Sequence, residues 1–401
     1  MRRIAAMVAF LALVIFTSGA QSVYKIGAHW PLADQGSVEA SKAAQLAVDE
    51  INKAGGVLGH QLQLIVVDDE GNGAKGVAAV EKLMTVDKVD LLFGGYSSGV
   101  EAALVPTLKK YGVVTVATGA ASSAAVENAL GPSPGSDFYF HLHPWDYNQG
   151  MSYAQGWRDI QAKYANVKIK KVFLAYEEGA FGQGSWAGLK TQYGDQYQYD
   201  GASFKSALMG GSDYSGVLQA AKDFNPDLFI WAGYAPDAQP LMEQAKAMKF
   251  NPPIFLGAPP AWPADIGSSP LTENVMSYGM WAAGLNDKNP LSKKFYDAYV
   301  KAYGVAPTGY FAALSYSGIY ILANAIKTAG GLDKDRLIAA LEKTKYPSAL
   351  GETITFSPSN VIKHQGIRNQ KILQWQNGRQ QIIWPFEYST TTIVFPMPPW
   401  K

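Results

Sequence analysis

What most constrains this chain is the order of its apolar runs, because short extended stretches alternate with helix-period stretches and glycines punctuate them. Residues 24–28 read as a short extended run. Ala40, Ala43, Ala44, Ala47, Val48 and Ile51 then recur at helical spacing until Gly55-Gly56 stops them. Residues 62–67 read as the next strand, 77–84 as helix, 91–93 as a strand running into Gly94-Gly95, 102–110 as helix and 113–117 as strand. After 141–147 the pattern restarts: 171–176, 228–232 and 254–256 read as strands, 185–192 and 238–248 as helices. Such alternation predicts mainly parallel sheets wrapped by helices, with binding loops beyond the carboxyl ends of the strands. The chain reads as two similar α/β units. Helices follow at 291–302, 310–329 and 335–342, and Asn377-Gly378 joins two β-rich runs, 370–375 and 380–384, into a hairpin. The proline-bearing tail after Trp384 reads as an extended strap.

Composition removes several kinds of chemistry. The 401 residues contain no cysteine, so thiol nucleophiles, Cys-ligated zinc, iron–sulfur clusters and thiol-linked lipid anchors are excluded. With 34 Lys+Arg against 33 Asp+Glu the chain is near neutral, which argues against nucleic acid as a partner. Arg2 and Arg3 precede an apolar run at 4–16, and Ser18-Gly19-Ala20 offers small residues for cleavage. That run is shorter than the roughly 20 residues of a membrane span. Residues 1–20 are therefore expected to be a signal peptide, Gln21 the mature start, and the product a soluble periplasmic or secreted protein without a lipid anchor.

Three motifs imitate catalytic or cofactor sites. Gly95-Tyr96-Ser97-Ser98-Gly99 matches a nucleophile elbow and would make Ser97 the nucleophile of a secreted serine hydrolase. Its downstream histidines are His141, His143 and His364, two at the end of an extended run and one in a polar loop, so no triad is expected. Gly71-x-Gly73-x-x-Gly76 resembles a dinucleotide fingerprint, but Asp68, Asp69 and Glu70 precede it and would repel a pyrophosphate. His141-x-His143 could begin a metal site, yet no third ligand is evident and surface histidines are the simpler reading. No cofactor and no metal are expected.

Binding chemistry has a firmer basis. A strand entering Gly94-Gly95 and then Ser97-Ser98 at a helix start presents amides, hydroxyls and a helix dipole to one point. The following strand ends in Thr118-Gly119-Ala120-Ala121-Ser122-Ser123, a second loop of small residues lying beside the first in a parallel sheet. Together they predict a cradle for an anion or a carbonyl.

These loops, the stretch Ala47 to Gly59 with Ile51-Asn52-x-x-Gly55-Gly56-x-x-Gly59, Asp68-Asp69, and Phe181-Gly182-Gln183-Gly184 resemble the type I periplasmic solute-binding proteins. The similarity is to the leucine-isoleucine-valine binding branch that serves ABC importers, and it spans essentially the whole mature chain. It implies two Rossmann-like lobes, 21–143 with 280–354 and 144–279 with 355–401, joined by three hinge crossovers near 141–148, 275–285 and 350–358. It also implies a monomer that closes on a small molecule and meets an inner-membrane permease and ATPase.

By the same resemblance the ligand loops fall on Ser98, Gly119, Ala120 and Ala121, with Ser122 as a shifted hydroxyl, and on Phe181 and Tyr234. The acid that would neutralise an ammonium should follow Gly257, where the sequence is Ala258-Pro259-Pro260-Ala261-Trp262. Without that carboxylate a buried ammonium lacks a partner. Trp30, Tyr96, Phe181, Tyr234 and Trp262, with Trp145 and Trp281, stand where aromatic walls would be, about half of them expected to line the cleft. The expected ligand is a small carboxylate, aromatic or otherwise amine-free. Branched-chain amino acids, amides, urea and betaines are the competitors.

Overall fold

The computed structural model describes residues 23–400, so the expected signal segment and its cleavage point lie outside the described residues. Two sheets organise the chain. The first comprises β1 (Val23–Trp30), β2 (Gln61–Asp68), β3 (Leu91–Gly94), β4 (Thr115–Ala117) and β5 (Tyr139–His141), all parallel in the order β2-β1-β3-β4-β5. Its connecting helices are α1 (Gln35–Lys53), α2 (Gly73–Lys82), α3 (Ser98–Tyr111) and the single turn α4 (Asn128–Leu130). Asp34 starts α1 by accepting the Gly36 N–H at 2.8 Å. The helix then buries Ala40, Ala43, Ala44, Ala47, Val48 and Ile51, the spacing seen in the sequence.

The second sheet holds β6 (Lys171–Glu177), β7 (Gln198–Phe204), β8 (Leu228–Ala232), β9 (Ile254–Gly257) and β10 (Met276–Gly279), all parallel. Its helices are α5 (Asp146–Lys163), α6 (Ala180–Tyr193), α7 (Ser215–Phe224) and α8 (Ala238–Ala247). The chain then returns to the first body. Helices α9 (Pro290–Tyr303), α10 (Tyr310–Ala329) and α11 (Lys334–Glu342) follow, and buried residues of α1, α9, α10 and α11 share one core. A two-strand ladder, β11 (Tyr346–Pro347) with β12 (Thr353–Ile354), precedes the last crossing. β13 (Lys371–Gln376) and β14 (Arg379–Trp384) form the expected hairpin, with Asn377 and Gly378 both at positive φ, and β13 pairs antiparallel with β10. The second sheet thus reads β14-β13-β10-β9-β8-β6-β7.

The chain passes between the sheets three times: after β5, after β10 and before β13. The carboxyl ends of β1, β3 and β4 meet those of β6, β8 and β9 at one cleft, since Tyr96 after β3 packs on Tyr234 after β8. Among the described residues no helix is long and apolar enough to cross a membrane.

Candidate functional site

The two small-residue loops lie together. At the end of β3, Gly94 and Gly95 have φ of +106° and +85°, and a Cβ on Gly94 would sit 2.9 Å from the Trp30 ring. Thr118 N–H donates to Gly94 O at 2.7 Å and Ala120 N–H to Tyr96 O at 3.1 Å, holding the loops backbone to backbone. A Cβ on Gly119 would fall 2.4 Å from Tyr96 Cα. Ser98 Oγ accepts the N–H groups of Ala121 at 3.0 Å and Ser122 at 3.2 Å, and Ser122 caps the next turn through Ala125 N–H.

In the second loop the amides are already taken. Ala121 and Ser122 give their N–H groups to Ser98, and Ser123 gives both its N–H and its hydroxyl to Asp146 at the start of α5. Two hydroxyls also stand at the loops: Ser98 Oγ, which receives two hydrogen bonds, and the buried Tyr96 hydroxyl, which lies beside the Asp34 carboxylate.

Aromatic residues from both bodies meet over these loops. Tyr96 lies 5.8 Å from Tyr234 and 4.8 Å from Phe311, centroid to centroid, and Phe181 lies 5.6 Å from Tyr234. Gly182 places Phe181 at the head of α6, because Gly182 N–H donates to Glu177 Oε1 at 2.7 Å and a Cβ there would collide with Glu177 O. Tyr234 is fixed from behind: its N–H donates to Asp237 Oδ2 at 2.7 Å, and Asp237 also takes the hydroxyls of Ser206 and Tyr214. Behind Phe181 is a cavity of about 20 Å³, lined by Asp146, Gln149, Tyr153, Tyr310 and Gln370 among others. That is room for about one water molecule.

Four tryptophans are placed differently from the sequence reading. Trp262 packs edge-on against Trp231 and Trp375 inside the second body, and Trp281 gives its N–H to Ser292 in the first. Trp145 stacks on His141 at 3.7 Å, and Trp30 is fully buried against Phe93 and Gly94. Large rings filling these cores bury more apolar area than a cleft wall would. Pro259 is buried in the loop after β9 without lining the cavity, whereas its neighbour Ala258 does line it. Tyr96, Phe181 and Tyr234 are the aromatics of that group that face one another across the cleft.

The histidines are also not at the surface. His141 Nε2 lies 2.9 Å from Gly119 O and 3.0 Å from Ala120 O, bracing the second loop from below, and burial draws its pKa down to about 4. His143 contacts the Tyr310 hydroxyl at 3.1 Å, and burial draws it to about 3. His364 pairs with Glu342. Ser97 pairs with Tyr234 instead of any histidine, so the elbow motif serves as a strand-to-helix turn.

Sequence reasoning missed the acids and the crossover residues. Asp34 is fully buried; burial, working against its hydrogen bonds, pushes its carboxyl up to about 6. It follows β1, so the strand-end rule that found Tyr96 also points to it. Asp146, Gln149 and Tyr153 sit on the first turns of α5, a helix that the apolar pattern does not announce. Tyr310 begins α10 immediately after Gly309.

Comparison with known proteins agrees with this architecture. Residues 24–380 match the family model described as periplasmic binding protein. The chain is 25% identical over 325 residues, 80% of its length and 81% of the relative's, to the leucine-, isoleucine-, valine-, threonine- and alanine-binding protein of Pseudomonas aeruginosa. Among solved structures, the branched-chain amino acid substrate-binding protein LivJ of Streptococcus pneumoniae with isoleucine superposes with a TM-score of 0.74 at 23% identity, covering 94% of this chain and 100% of that one. A solute-binding protein of an ABC transporter from R. palustris with benzoate gives 0.75 at 18%, covering 90% and 96%. With two α/β bodies meeting at a cleft and a family match along almost its whole described length, the chain belongs to the periplasmic binding proteins, a family of non-enzymatic solute-binding proteins of ABC transporters.

Proposed function

We propose that this protein is an extracytoplasmic receptor that captures a small solute between its two lobes by hinge closure and presents it to the permease and ATPase of an ABC importer. The observation that carries this reading is the meeting of Tyr96, Phe181 and Tyr234 from opposite sheets beside a small cavity lined by both apolar and polar groups. Closure would remove a planar or apolar ligand from water and strengthen its polar contacts. For the ligand we propose a small carboxylate, aromatic or otherwise amine-free, its oxygens meeting the hydroxyls of Ser98 and Tyr96. Two things support that choice: the loop from Ala258 to Trp262 holds no carboxylate for an ammonium, and one structural neighbour carries benzoate.

A second reading has its own observation. Asp146 lines the cavity, and no Lys or Arg does. That favours ligands that bring hydrogen-bond donors or a positive charge to the carboxylate: amides, urea, betaines or branched-chain amino acids.

Thermal unfolding of residues 21–401 across these classes separates the two. A ligand at 100 times its Kd adds about 2.7 kcal/mol, a shift of several degrees. Aromatic carboxylates are expected to raise the midpoint most. A larger shift with leucine, valine or an amide would overturn the proposed ligand chemistry and leave the receptor reading standing.

A further inference from the structure

A second cavity, of about 300 Å³, lies where the two bodies meet, and it shares no lining residue with the one behind Phe181. That volume is the size at which small-molecule pockets begin. The segment Thr308-Gly309-Tyr310 runs between the two, with Thr308 lining the larger cavity and Tyr310 the smaller. Gly309 fits closely on the loop after β9, where a Cβ would fall 2.5 Å from Pro260 O. Tyr296 of α9 and the segment 305–308 line the larger cavity from the first body, and Asp265, Trp375 and Gln380 line it from the second. Gly267 lets the turn at 264–267 close on the β13–β14 hairpin, since a Cβ there would fall 2.5 Å from Gly378 O.

Charge in this cavity is not balanced. Arg379 is already engaged: its guanidinium meets both oxygens of Asp287, at 3.1 and 3.2 Å, and donates to the Ala283 carbonyl. No Lys or His lines the cavity. Asp265, exposed at the rim, does not cap the short turn that follows it, and its carboxylate has no hydrogen-bond or ion-pair partner among the described residues. Gln380 is buried and turns its Nε2 to Ser277 Oγ at 3.0 Å, which leaves its Oε1 as an acceptor. A carboxylate and an amide oxygen thus stand beside the Trp375 and Tyr296 rings and the apolar edge Val305-Ala306-Pro307, with no unpaired cation among the lining residues. An anion finds no opposite charge there, whereas an ammonium finds a carboxylate and aromatic rings. We propose that this cavity is a second binding site for a small amine, whose ammonium meets Asp265 and whose apolar or aromatic body lies against Trp375, Tyr296 and Pro307, and that its occupancy favours lobe closure.

The effect on closure follows from where the walls come from. A molecule touching both 305–308 and the hairpin makes its full set of contacts only when the two bodies face each other, so it shifts the population toward that arrangement. By linkage it tightens binding at the Tyr96–Tyr234 cleft, and a cleft ligand tightens the amine by the same factor. This second half rests on the hinged-receptor reading; binding of the amine does not.

Calorimetric titration of residues 21–401 with phenethylammonium chloride tests the site. Binding is expected for the wild type and for Tyr234→Ala, whose change lies in the other cavity's aromatic cluster. Asp265→Asn, at an exposed position, is expected to weaken it about fivefold or more, and Ala306→Trp, which fills the cavity from its rim, to abolish it; thermal unfolding confirms that each variant is folded. Phenylacetate, of similar shape and opposite charge, is expected to show no binding that Ala306→Trp removes. The proposal is overturned if the amine does not bind, if its binding is lost in Tyr234→Ala and unchanged in Asp265→Asn, or if Ala306→Trp abolishes binding of phenylacetate. Small-angle scattering reads the second half: the amine is expected to compact the wild type, and binding without compaction overturns the link to closure while the site stands. Failure of the amine together with a thermal shift by a cleft ligand would sink the second site alone and leave the receptor reading intact.

Discussion

At Gly119 the ligand end of the first sheet depends on a missing methyl group. A Cβ there would approach Gly95 O at 2.5 Å and Tyr96 Cα at 2.4 Å, both backbone atoms that no rotamer change can move. Gly119→Ala is therefore expected to destabilise the protein by about 2–3 kcal/mol, read as a lower urea midpoint with an unchanged slope. His29 poses an electrostatic problem at the end of β1. Burial draws its pKa down, but the carboxylates of Glu101 and Asp69 outweigh that and hold it at about 10. Its folded pKa exceeds the unfolded value near 6.5, so the stabilisation is complete below about pH 6.5 and is lost as pH rises toward 10. His29→Gln leaves two buried carboxylates without their cation and should cost about 3 kcal/mol at pH 6. The gap from wild type should narrow at pH 9.5; a gap that is the same at both values contradicts the assigned charge state.

Among the elements, α6 shows why close approach needs glycine. A Cβ on Gly188 would lie 2.5 Å from Asp146 O, and one on Gly150 of α5 would lie 2.3 Å from Gly188 O. Gly188→Ala is expected to push α5 from α6 and lower stability by about 2 kcal/mol in urea unfolding; an unchanged midpoint would mean that the helices can part without loss. The same glycines explain what the sequence hid. α5 carries Gly150 and Gly156 and mixes polar with apolar residues, so its 18 residues show no clean helical period, and its cavity groups Asp146, Gln149 and Tyr153 stayed out of sight. β7 is an edge strand of mixed polarity and was equally silent. By contrast, the periodic alanines of α1, the apolar run of α10 and the Asn377-Gly378 turn state their structures plainly, because one local rule governs each.

For the molecule as a whole, alternation of apolar runs is enough to read two α/β units, since each βα pair buries its own face. Loop residues that face across the cleft are harder. Tyr96 and Tyr234 are legible because each follows a strand that runs into glycine, whereas Trp262 follows a strand equally well and is drawn into the core by Trp231 and Trp375. Asp34 was hidden because its importance lies in what the other body brings to it, the Ala235 N–H at 3.2 Å. The central claim is that a small solute binds between Tyr96, Phe181 and Tyr234 and closes the lobes. It is tested most directly by small-angle scattering with the compound that gives the largest thermal shift, on the wild type and on Tyr234→Ala. The account predicts that the wild type compacts and that the variant loses at least about tenfold in affinity, roughly 1.4 kcal/mol. Compaction at unchanged affinity in Tyr234→Ala, or tight binding with no compaction of the wild type, would contradict it.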